Sequence, residues 1–292
     1  MSVDVSVSSQ LPSASGAHTF LQRLGDRVER VRTCLCLGLD PDPESLPPGF
    51  THDVPGIEAF SQLLIEAASP YVAAVKANIA FFEAFGSVGI AALERIRAAI
   101  PADIPFIVDA KRGDIGSTAA RQAVALYDVL GADAITANPY LGREAIVPLL
   151  ERADRFVFVL CRTSNPGAGE FQDLQLGDAP LFVHVARRVA EWAAAGDQVG
   201  LVVGATAPTE MATIRAAAPT LPFLVPGLGA QGGDAKAVLM HGPATAPPAS
   251  SLAGGGLVVS VSRAIASAAI DAADPGAAVA RSAQAWAQQL RS

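Results

Sequence analysis

Short apolar runs alternate with longer amphipathic stretches along the chain. Eight of the apolar runs are rich in Val, Ile, Leu or Phe and lack the strict alternation of a half-exposed strand. This composition is typical of parallel strands that are covered on both faces. The predicted strands are Thr33–Leu39, Tyr71–Lys76, Phe106–Asp109, Ala134–Ala137, Phe156–Leu160, Val199–Val203, Phe223–Val225 and Leu257–Val261.

Helical patterns lie between these runs. The predicted helices are Gly56–Ala68, Val88–Ala99, Ser117–Leu130, Leu181–Ala194 and Thr209–Ala217. The last three begin near Asp114, Pro180 and Pro208, residue types that are favoured at helix starts. A terminal helix within Asp274–Ser292 is expected to cover the bottom of the fold.

Eight strands that alternate with helices predict an α/β protein, a (β/α)8 TIM barrel in a single domain. The length of 292 residues accommodates such a barrel. A doubly wound open sheet also fits the alternation. It would need a glycine-rich dinucleotide loop after its first strand, whereas this chain has GLDPDPE there.

Three segments depart from the regular pattern. Residues 1–17 are polar and are expected to form a flexible tail before a catalytic barrel domain at 18–292. Residues 241–256 are rich in Pro, Gly and Ser and are expected to form a flexible connection before the eighth strand. The loop Thr163–Pro180 is unusually long.

Composition and charge narrow the classes of function. Hydrophobic residues make up 51% of the chain and charged residues 17%, which argues against disorder. The net charge of −7 gives no general attraction to nucleic acid. No signal peptide or membrane-spanning segment is predicted, and three cysteines are too few for a disulfide scaffold. These features predict a cytoplasmic protein whose partner is neither nucleic acid nor membrane.

Polar residues gather where the predicted strands end, which is where barrel enzymes place their chemistry. The densest group is VDAKRGDIGST at residues 108–118. Asp109 and Lys111 are two residues apart, so on an extended strand their side chains share one side. Asp114 and Thr118 follow about one helical turn apart, and Lys76 ends the neighbouring strand.

This spacing predicts an alternating Lys–Asp–Lys–Asp array around one small volume. Opposite charges would keep the lysines protonated and the aspartates ionised. A lysine held in this state is a proton donor rather than a Schiff-base nucleophile, which needs a depressed pKa. The alternative is a pair of structural salt bridges at the barrel rim.

The seventh and eighth strand ends indicate a phosphate site. The loop PGLGAQGGD offers backbone N–H groups and the side chain of Gln231, and Arg263 begins the segment after the eighth strand. Loops at these two positions form the usual phosphate site of a barrel. No metal site is predicted, because the four histidines lie outside the predicted strand ends. The pattern therefore predicts a phosphorylated small molecule as the ligand, with its reactive carbon near Lys111.

Several of these motifs together resemble the orotidine 5′-phosphate decarboxylase family. They are KANIAFFEAFG, DAKRGDIGST, NPYLG, PGLGAQGGD and VSRAI, in this order between about Leu35 and Ala266. The pattern DxKxxDIxxT is specific, and the chain resembles the longer bacterial branch of the mycobacterial type. The resemblance implies a homodimeric barrel that converts orotidine 5′-monophosphate to UMP and CO2 without a cofactor.

The resemblance also implies a role for each motif residue. Lys111 would protonate C6 of the pyrimidine, with Asp109 and Lys76 completing the charged array. Asp114 and Thr118 would reach into the active site of the partner subunit. The implied substrate contacts are Asp40 and Lys76 to the ribose, Ser164 to the pyrimidine, and Gln231 and Arg263 to the phosphate, with Asn78 as a further polar position.

Two other functions are compatible with parts of this pattern. Sugar-phosphate decarboxylases or aldolases of the same barrel group share an aspartate–lysine–aspartate motif, but use a divalent metal to stabilise an enediolate. A non-catalytic nucleotide-binding regulator could also retain the barrel. Lys76 and the DIGST continuation favour the cofactor-free decarboxylase over the metal-dependent sugar-phosphate enzymes. The intact proton donor favours it over the non-catalytic regulator.

Overall fold

The computed structural model describes residues 18–229 and 232–292. Its strands are β1 Leu35–Leu39, β2 Ala74–Asn78, β3 Phe106–Arg112, β4 Ala134–Ala137, β5 Phe156–Arg162, β6 Gln175–Leu176, β7 Ala179–Pro180, β8 Val199–Val203, β9 Phe223–Pro226 and β10 Leu257–Val261. Its α-helices are α1 Phe20–Val31, α2 Val54–Ala68, α3 Ala80–Glu83, α4 Gly86–Ala99, α5 Gly116–Ala123, α6 Gly169–Gln172, α7 Leu181–Ala194, α8 Pro208–Ala217, α9 Ala235–His241, α10 Arg263–Ala266 and α11 Pro275–Gln289. Within the described ranges, no helix has both the length and the apolarity needed to span a lipid bilayer.

Eight of the strands close into a parallel barrel in the order β1–β10–β9–β8–β5–β4–β3–β2. The predicted TIM barrel is confirmed, and each of the eight predicted strands is present with ends that differ by a few residues. The remaining strands, β6 and β7, form a small antiparallel hairpin inside the long loop that follows β5. Parallel closure brings the carboxyl ends of all eight barrel strands to one rim.

The opposite end of the barrel is closed by α1, a helix that the sequence analysis did not predict. Phe20, Leu24 and Val28 are spaced by four residues and form one buried stripe. Phe20 stacks on Phe156 at a ring-centroid distance of 5.2 Å and meets Phe158 edge-on at 5.8 Å. These aromatic contacts fill the inside of the barrel from its amino-terminal end.

The terminal helix was expected to cover this end, and that expectation is wrong. The helix α11 lies in the outer ring and packs against α2. The helix α1 already occupies the amino-terminal end of the barrel, and hydrogen bonds to a buried carboxylate hold it there. Asp133 is 2% exposed and accepts hydrogen bonds from Arg23 of α1 and from Arg155.

Residues 241–256 were expected to be a flexible connection, but the structure shows a folded segment. It contains two short 3-10 helices, Ala249–Ser251 and Ala253–Gly256, and Ala244 N–H donates to the carbonyl of Gly255. Its second 3-10 helix contacts α1. The segment therefore forms part of the cover at the bottom of the barrel, far from the strand ends that carry polar residues.

Candidate active site

A cavity of about 480 Å³ opens at the carboxyl-terminal rim of the barrel. Most of the strand-end residues singled out from the sequence line it: Asp40, Lys76, Asn78, Asp109, Lys111, Ser164 and Arg263. Apolar side chains from β5, β8 and β9 complete the wall, namely Leu160, Val202 and Leu224. The charged residues of the cavity therefore lie mainly on the β1–β3 side, and the opposite side combines apolar side chains with uncharged polar ones.

The register between β2 and β3 sets the centre of the charged side. Asn78 pairs with Asp109 across these strands, so Lys76 lies one inward-facing position lower on β2. The Nζ atom of Lys76 is 3.2 Å from Asp109 Oδ2 and 3.9 Å from Asp40 Oδ1. The Nζ atom of Lys111 is 2.7 Å from the other carboxylate oxygen of Asp109, Oδ1. Within one subunit the alternating array is thus Asp40–Lys76–Asp109–Lys111.

The array keeps its buried members charged. Burial alone would raise the pKa of Asp109, but the ammonium groups of Lys76 and Lys111 and the hydrogen bonds from Lys111 and Thr136 hold it well below its usual range. Burial alone would lower the pKa of Lys76, but the carboxylates of Asp109 and Asp40 outweigh this effect and raise it. The predicted state of ionised aspartate beside protonated lysine follows from these contacts.

Lys111 reaches the array through an irregularity in β3. The β3–β4 register shifts between Val108 and Arg112, and Lys111 has a φ of 47°, in the left-handed region. A residue with a side chain adopts this conformation at a cost of roughly 1–2 kcal/mol. The side chain of Lys111 is 50% exposed, so its ammonium faces both the cavity and solvent.

Asp40 follows β1 and faces the cavity with an unused acceptor. In the described part of the chain, no hydrogen-bond donor reaches its buried Oδ1 atom. The neighbouring backbone is closely packed, because a Cβ atom on Gly38 would lie 1.8 Å from the hydroxyl oxygen of Ser262. Only glycine lets β1 approach Ser262 in this way. The Asp40 side chain as a whole is 26% exposed, so its carboxylate can also accept a hydrogen bond from a ligand hydroxyl in the cavity.

Ser164 is held at the rim by the loop that follows β5. The side-chain oxygen of Gln172, in α6, accepts the backbone N–H of Thr163 at 2.8 Å. From the other side, a Cβ atom on Gly204 would lie 2.8 Å from the backbone of Ser164. The hydrogen bond from Thr163 to Gln172 and the close approach of the Gly204 backbone fix the main chain that presents Ser164 to the cavity. The long loop is thus folded, with α6 and the β6–β7 hairpin inside it.

Two predicted residues lie away from this cavity within one subunit. Asp114 precedes α5 and Thr118 lies in its exposed first turns, and neither contributes to the cavity wall. The expectation that both surround Lys111 is therefore not met by a single chain. The helix begins at Gly116, and Asp114 accepts the N–H of Ile115 instead of capping it.

The structure describes only some of the residues of the predicted phosphate site. Arg263 lines the cavity together with Gly227 and Leu228 of the glycine-rich loop. Gln231, the other predicted phosphate contact, lies outside the described residues. Arg263 and the backbone after β9 therefore mark the side of the cavity to which an anionic group would be directed.

No metal-binding cluster is present among residues 18–229 and 232–292, where no three His, Cys, Asp or Glu side chains converge. Asp40 and Asp109 approach each other across the cavity, but the Lys76 ammonium lies between them. A divalent cation held by both carboxylates would have to displace this ammonium. The arrangement does not suit the metal-dependent chemistry weighed above.

Comparison with known proteins places the chain in a family. The family model described as "Orotidine 5'-phosphate decarboxylase / HUMPS family" matches residues 33–281. The chain belongs to this family. A curated relative from Thermomicrobium roseum, named orotidine 5′-phosphate decarboxylase, is 47% identical over 277 residues, which is 94% of either chain. A relative of the same name from Roseiflexus castenholzii is 44% identical and covers 93% of this chain and 96% of its own.

A solved member of the family has the same architecture. The structure of Leishmania donovani OMP decarboxylase superposes with a TM-score of 0.78 and 41% identity, covering 94% of this chain and 98% of its own. The family resemblance seen in the motifs is therefore confirmed over nearly the whole chain.

Sequence reasoning missed several polar residues of the cavity wall, among them Thr136 and Gln172. Thr136 is the single hydroxyl in the predicted strand Ala134–Ala137, and a polar residue in an apolar strand could have been noticed. Gln172 lies in a loop without a motif, so nothing in its spacing indicated that it would fold back onto Thr163.

Proposed function

We propose that the protein decarboxylates orotidine 5′-monophosphate to UMP and CO2, the last step of de novo pyrimidine synthesis. The observation that carries the proposal is the array Asp40–Lys76–Asp109–Lys111 in one cavity that also contains Arg263. Membership of the family, and two relatives named for this reaction, support the same function.

The reaction needs a proton donor close to one carbon. Cleavage of the bond between C6 and the carboxylate leaves an electron pair on C6, in the plane of the ring, where the π-system does not delocalise it. The required stabilisation of the transition state is on the order of 20 kcal/mol, near the upper end for enzymes. The Lys111 ammonium would stabilise this charge and then transfer its proton to C6. Its half-exposed side chain lets it regain a proton from solvent.

The aspartate between the lysines would have two effects. Asp109 orients the Lys111 ammonium through a 2.7 Å contact. Its low pKa keeps it ionised, so it also repels a substrate carboxylate placed beside it. The repulsion falls as the bond breaks, because the negative charge moves from the carboxylate to C6, where the Lys111 ammonium neutralises it, and CO2 leaves uncharged.

The rest of the cavity would bind the nucleotide. The partly exposed Asp40 carboxylate and the Lys76 ammonium suit the ribose hydroxyls, and Ser164 suits the pyrimidine. Arg263, with Gln231 from the glycine-rich loop, would bind the phosphate, and Asn78 offers a further polar contact. Phosphate binding far from C6 can supply energy that is realised in the transition state.

We also propose a homodimer in which Asp114 and Thr118 complete the partner's active site. Neither residue lines the cavity of its own subunit, and nearby Ile115 and Tyr140 are 54% and 87% exposed. Mixing inactive Asp109→Asn and Asp114→Asn subunits should restore part of the activity, because hybrid dimers regain one intact site. A mixture as inactive as its components would refute the shared site.

The cytoplasm is the proposed compartment. All three cysteines, Cys34, Cys36 and Cys161, are free and buried, which suits a reducing environment. Burial raises the pKa of Cys34 and Cys36 to about 12, so both thiols are unreactive.

The function is tested by following the absorbance change of orotidine 5′-monophosphate with protein treated with EDTA. We expect turnover by the wild type, and no turnover by Lys111→Ala despite measurable UMP binding. Turnover that EDTA abolishes and Mg²⁺ restores would refute the cofactor-free reaction, and a complete lack of turnover would direct the search to metal-dependent sugar phosphates. UMP binding by a folded wild type without turnover would indicate a non-catalytic nucleotide-binding protein.

A further inference from the structure

Thr136 lies under the charged array and makes two hydrogen bonds with it. The residue belongs to β4, is 1% exposed, and contributes to the cavity wall. Its hydroxyl donates to Asp109 Oδ1 at 2.8 Å and accepts the backbone N–H of Lys111 at 2.9 Å. One hydroxyl therefore contacts both the main chain of the proposed proton donor and the carboxylate that orients the donor's ammonium.

The backbone of Lys111 depends on this contact. The left-handed φ of 47° and the register shift remove its N–H from the regular β3–β4 ladder. A backbone N–H that loses its ladder partner needs another acceptor. The Thr136 hydroxyl is that acceptor, so it stabilises the conformation that brings the Lys111 side chain back to the cavity.

The carboxylate of Asp109 depends on the same hydroxyl. Its Oδ2 atom accepts from Lys76, while its Oδ1 atom accepts from both Lys111 Nζ and Thr136. Lys111 is half exposed and long, so by itself it constrains the carboxylate weakly. The short and fully buried side chain of Thr136 fixes the position of Oδ1 more firmly.

We propose that Thr136 is a positioning residue that sets the geometry of proton transfer from Lys111 by holding its backbone and the Asp109 carboxylate together. The inference rests on the proposed decarboxylation. It adds a residue of β4 that acts through Asp109 and Lys111 and need not touch the reacting carbon.

The test compares Thr136→Val and Thr136→Ser. Valine keeps the shape of threonine and loses both hydrogen bonds, whereas serine keeps the hydroxyl. A small misplacement of a reacting group can cost about 100-fold in rate, so we expect kcat of Thr136→Val to fall by about that factor. KM and the dissociation constant of UMP should stay within about twofold, and Thr136→Ser should recover most of kcat, because binding does not need the aligned proton.

Thr33 provides a matched control at the other end of the barrel. It is 0% exposed, and its hydroxyl also donates to one partner, the carbonyl of Leu290, and accepts one backbone N–H, that of Leu35. Thr33→Val should therefore lose a comparable pair of hydrogen bonds and some stability, yet keep kcat. A fall in kcat in both valine variants would overturn the positioning role.

Other outcomes also decide the question. Unchanged kcat in Thr136→Val, or a loss of kcat and UMP binding together, would refute the inference. If Thr136→Val does not fold, Thr136→Cys keeps the volume with weaker hydrogen bonds, and it must then show lowered kcat with intact UMP binding. An inactive wild type would refute the proposed decarboxylation itself, which separates the two failures.

Discussion

Replacing Asp109 by Asn should destabilise the protein as well as inactivate it, because Asp109 compensates a buried cation. The side chain of Lys76 is only 5% exposed. With an effective dielectric constant of about 20, its attraction to Asp109 at 3.2 Å is about 5 kcal/mol, and that to Asp40 at 3.9 Å is about 4 kcal/mol. The variant keeps only the weaker of these two attractions.

The net change is smaller than the Coulomb energy. Removing one partner of a buried ion pair costs about 3–5 kcal/mol. Asp40 remains and Asn can still accept a hydrogen bond, so we expect the lower end, a loss of about 3 kcal/mol in the free energy of unfolding. Urea unfolding at pH 7 measures this loss, with both proteins at the same concentration because the proposed dimer would contribute to stability.

Asp178→Asn is a matched control from the surface. The side chain of Asp178 is 73% exposed and pairs with Arg187 at 3.3 Å. Exposed pairs contribute at most about 1 kcal/mol, so this variant should remain close to the wild type. A free energy of unfolding of Asp109→Asn that equals that of Asp178→Asn would refute the argument that the array compensates a buried charge.

The pH dependence of the free energy of unfolding tests the same ion pairs. The pKa of Asp109 lies below its ordinary 3.8 in the folded state, so its stabilisation is present above pH 3.8 and is lost as the pH falls below it. The pKa of Lys76 lies above its ordinary 10.5, so its contribution is present below pH 10.5 and is lost as the pH rises further. The difference between wild type and Asp109→Asn should therefore be constant near neutral pH and narrow at both extremes. A difference that widens in acid would contradict this assignment.

Three further changes probe other parts of the molecule. Arg263→Ala should raise KM for the nucleotide at least about tenfold and leave the affinity for uridine unchanged, because the variant loses a charged hydrogen bond to the phosphate. An unchanged KM would exclude Arg263 as a phosphate ligand. Gly204→Ala should raise KM with little change in the circular dichroism spectrum, because its Cβ would lie 2.8 Å from the backbone of Ser164; wild-type kinetics would show that Ser164 has room to move. Phe20→Ala should lower the free energy of unfolding by about 3–5 kcal/mol and leave kcat at 25 °C unchanged, since the cavity that it creates lies at the bottom of the barrel. Thermal unfolding and steady-state kinetics on the same sample measure both effects, and a loss of activity without a loss of stability would contradict this prediction.

The sequence predicted those features of the fold that composition determines locally. The eight barrel strands are apolar throughout because both faces are covered, and their ends carry the polar residues of the cavity. The contact between Lys76, Asp109 and Lys111 also followed from spacing and strand order. These features depend on short-range periodicity and on the known topology of a parallel barrel.

The features that were missed depend on long-range contacts. The helix α1 contains as many charged residues as apolar ones, five of each, so its apolar stripe is recognised only from its contacts with the open end of the barrel. The left-handed backbone of Lys111 and its hydrogen bond to Thr136 arise from the pairing of two strands. Asp114 was placed beside Lys111 because spacing along the chain does not show that the segment after β3 turns away from the cavity.

The closure of the barrel by α1 has a consequence for the order of folding. The helix is synthesised before every strand, yet its apolar face packs against side chains that extend to Val258 of β10. It also meets Leu252, which approaches Gly25 at the same end. The apolar stripe of α1 therefore acquires its full set of contacts only after the last strand is paired. Complete burial of the first helix thus depends on a completed barrel.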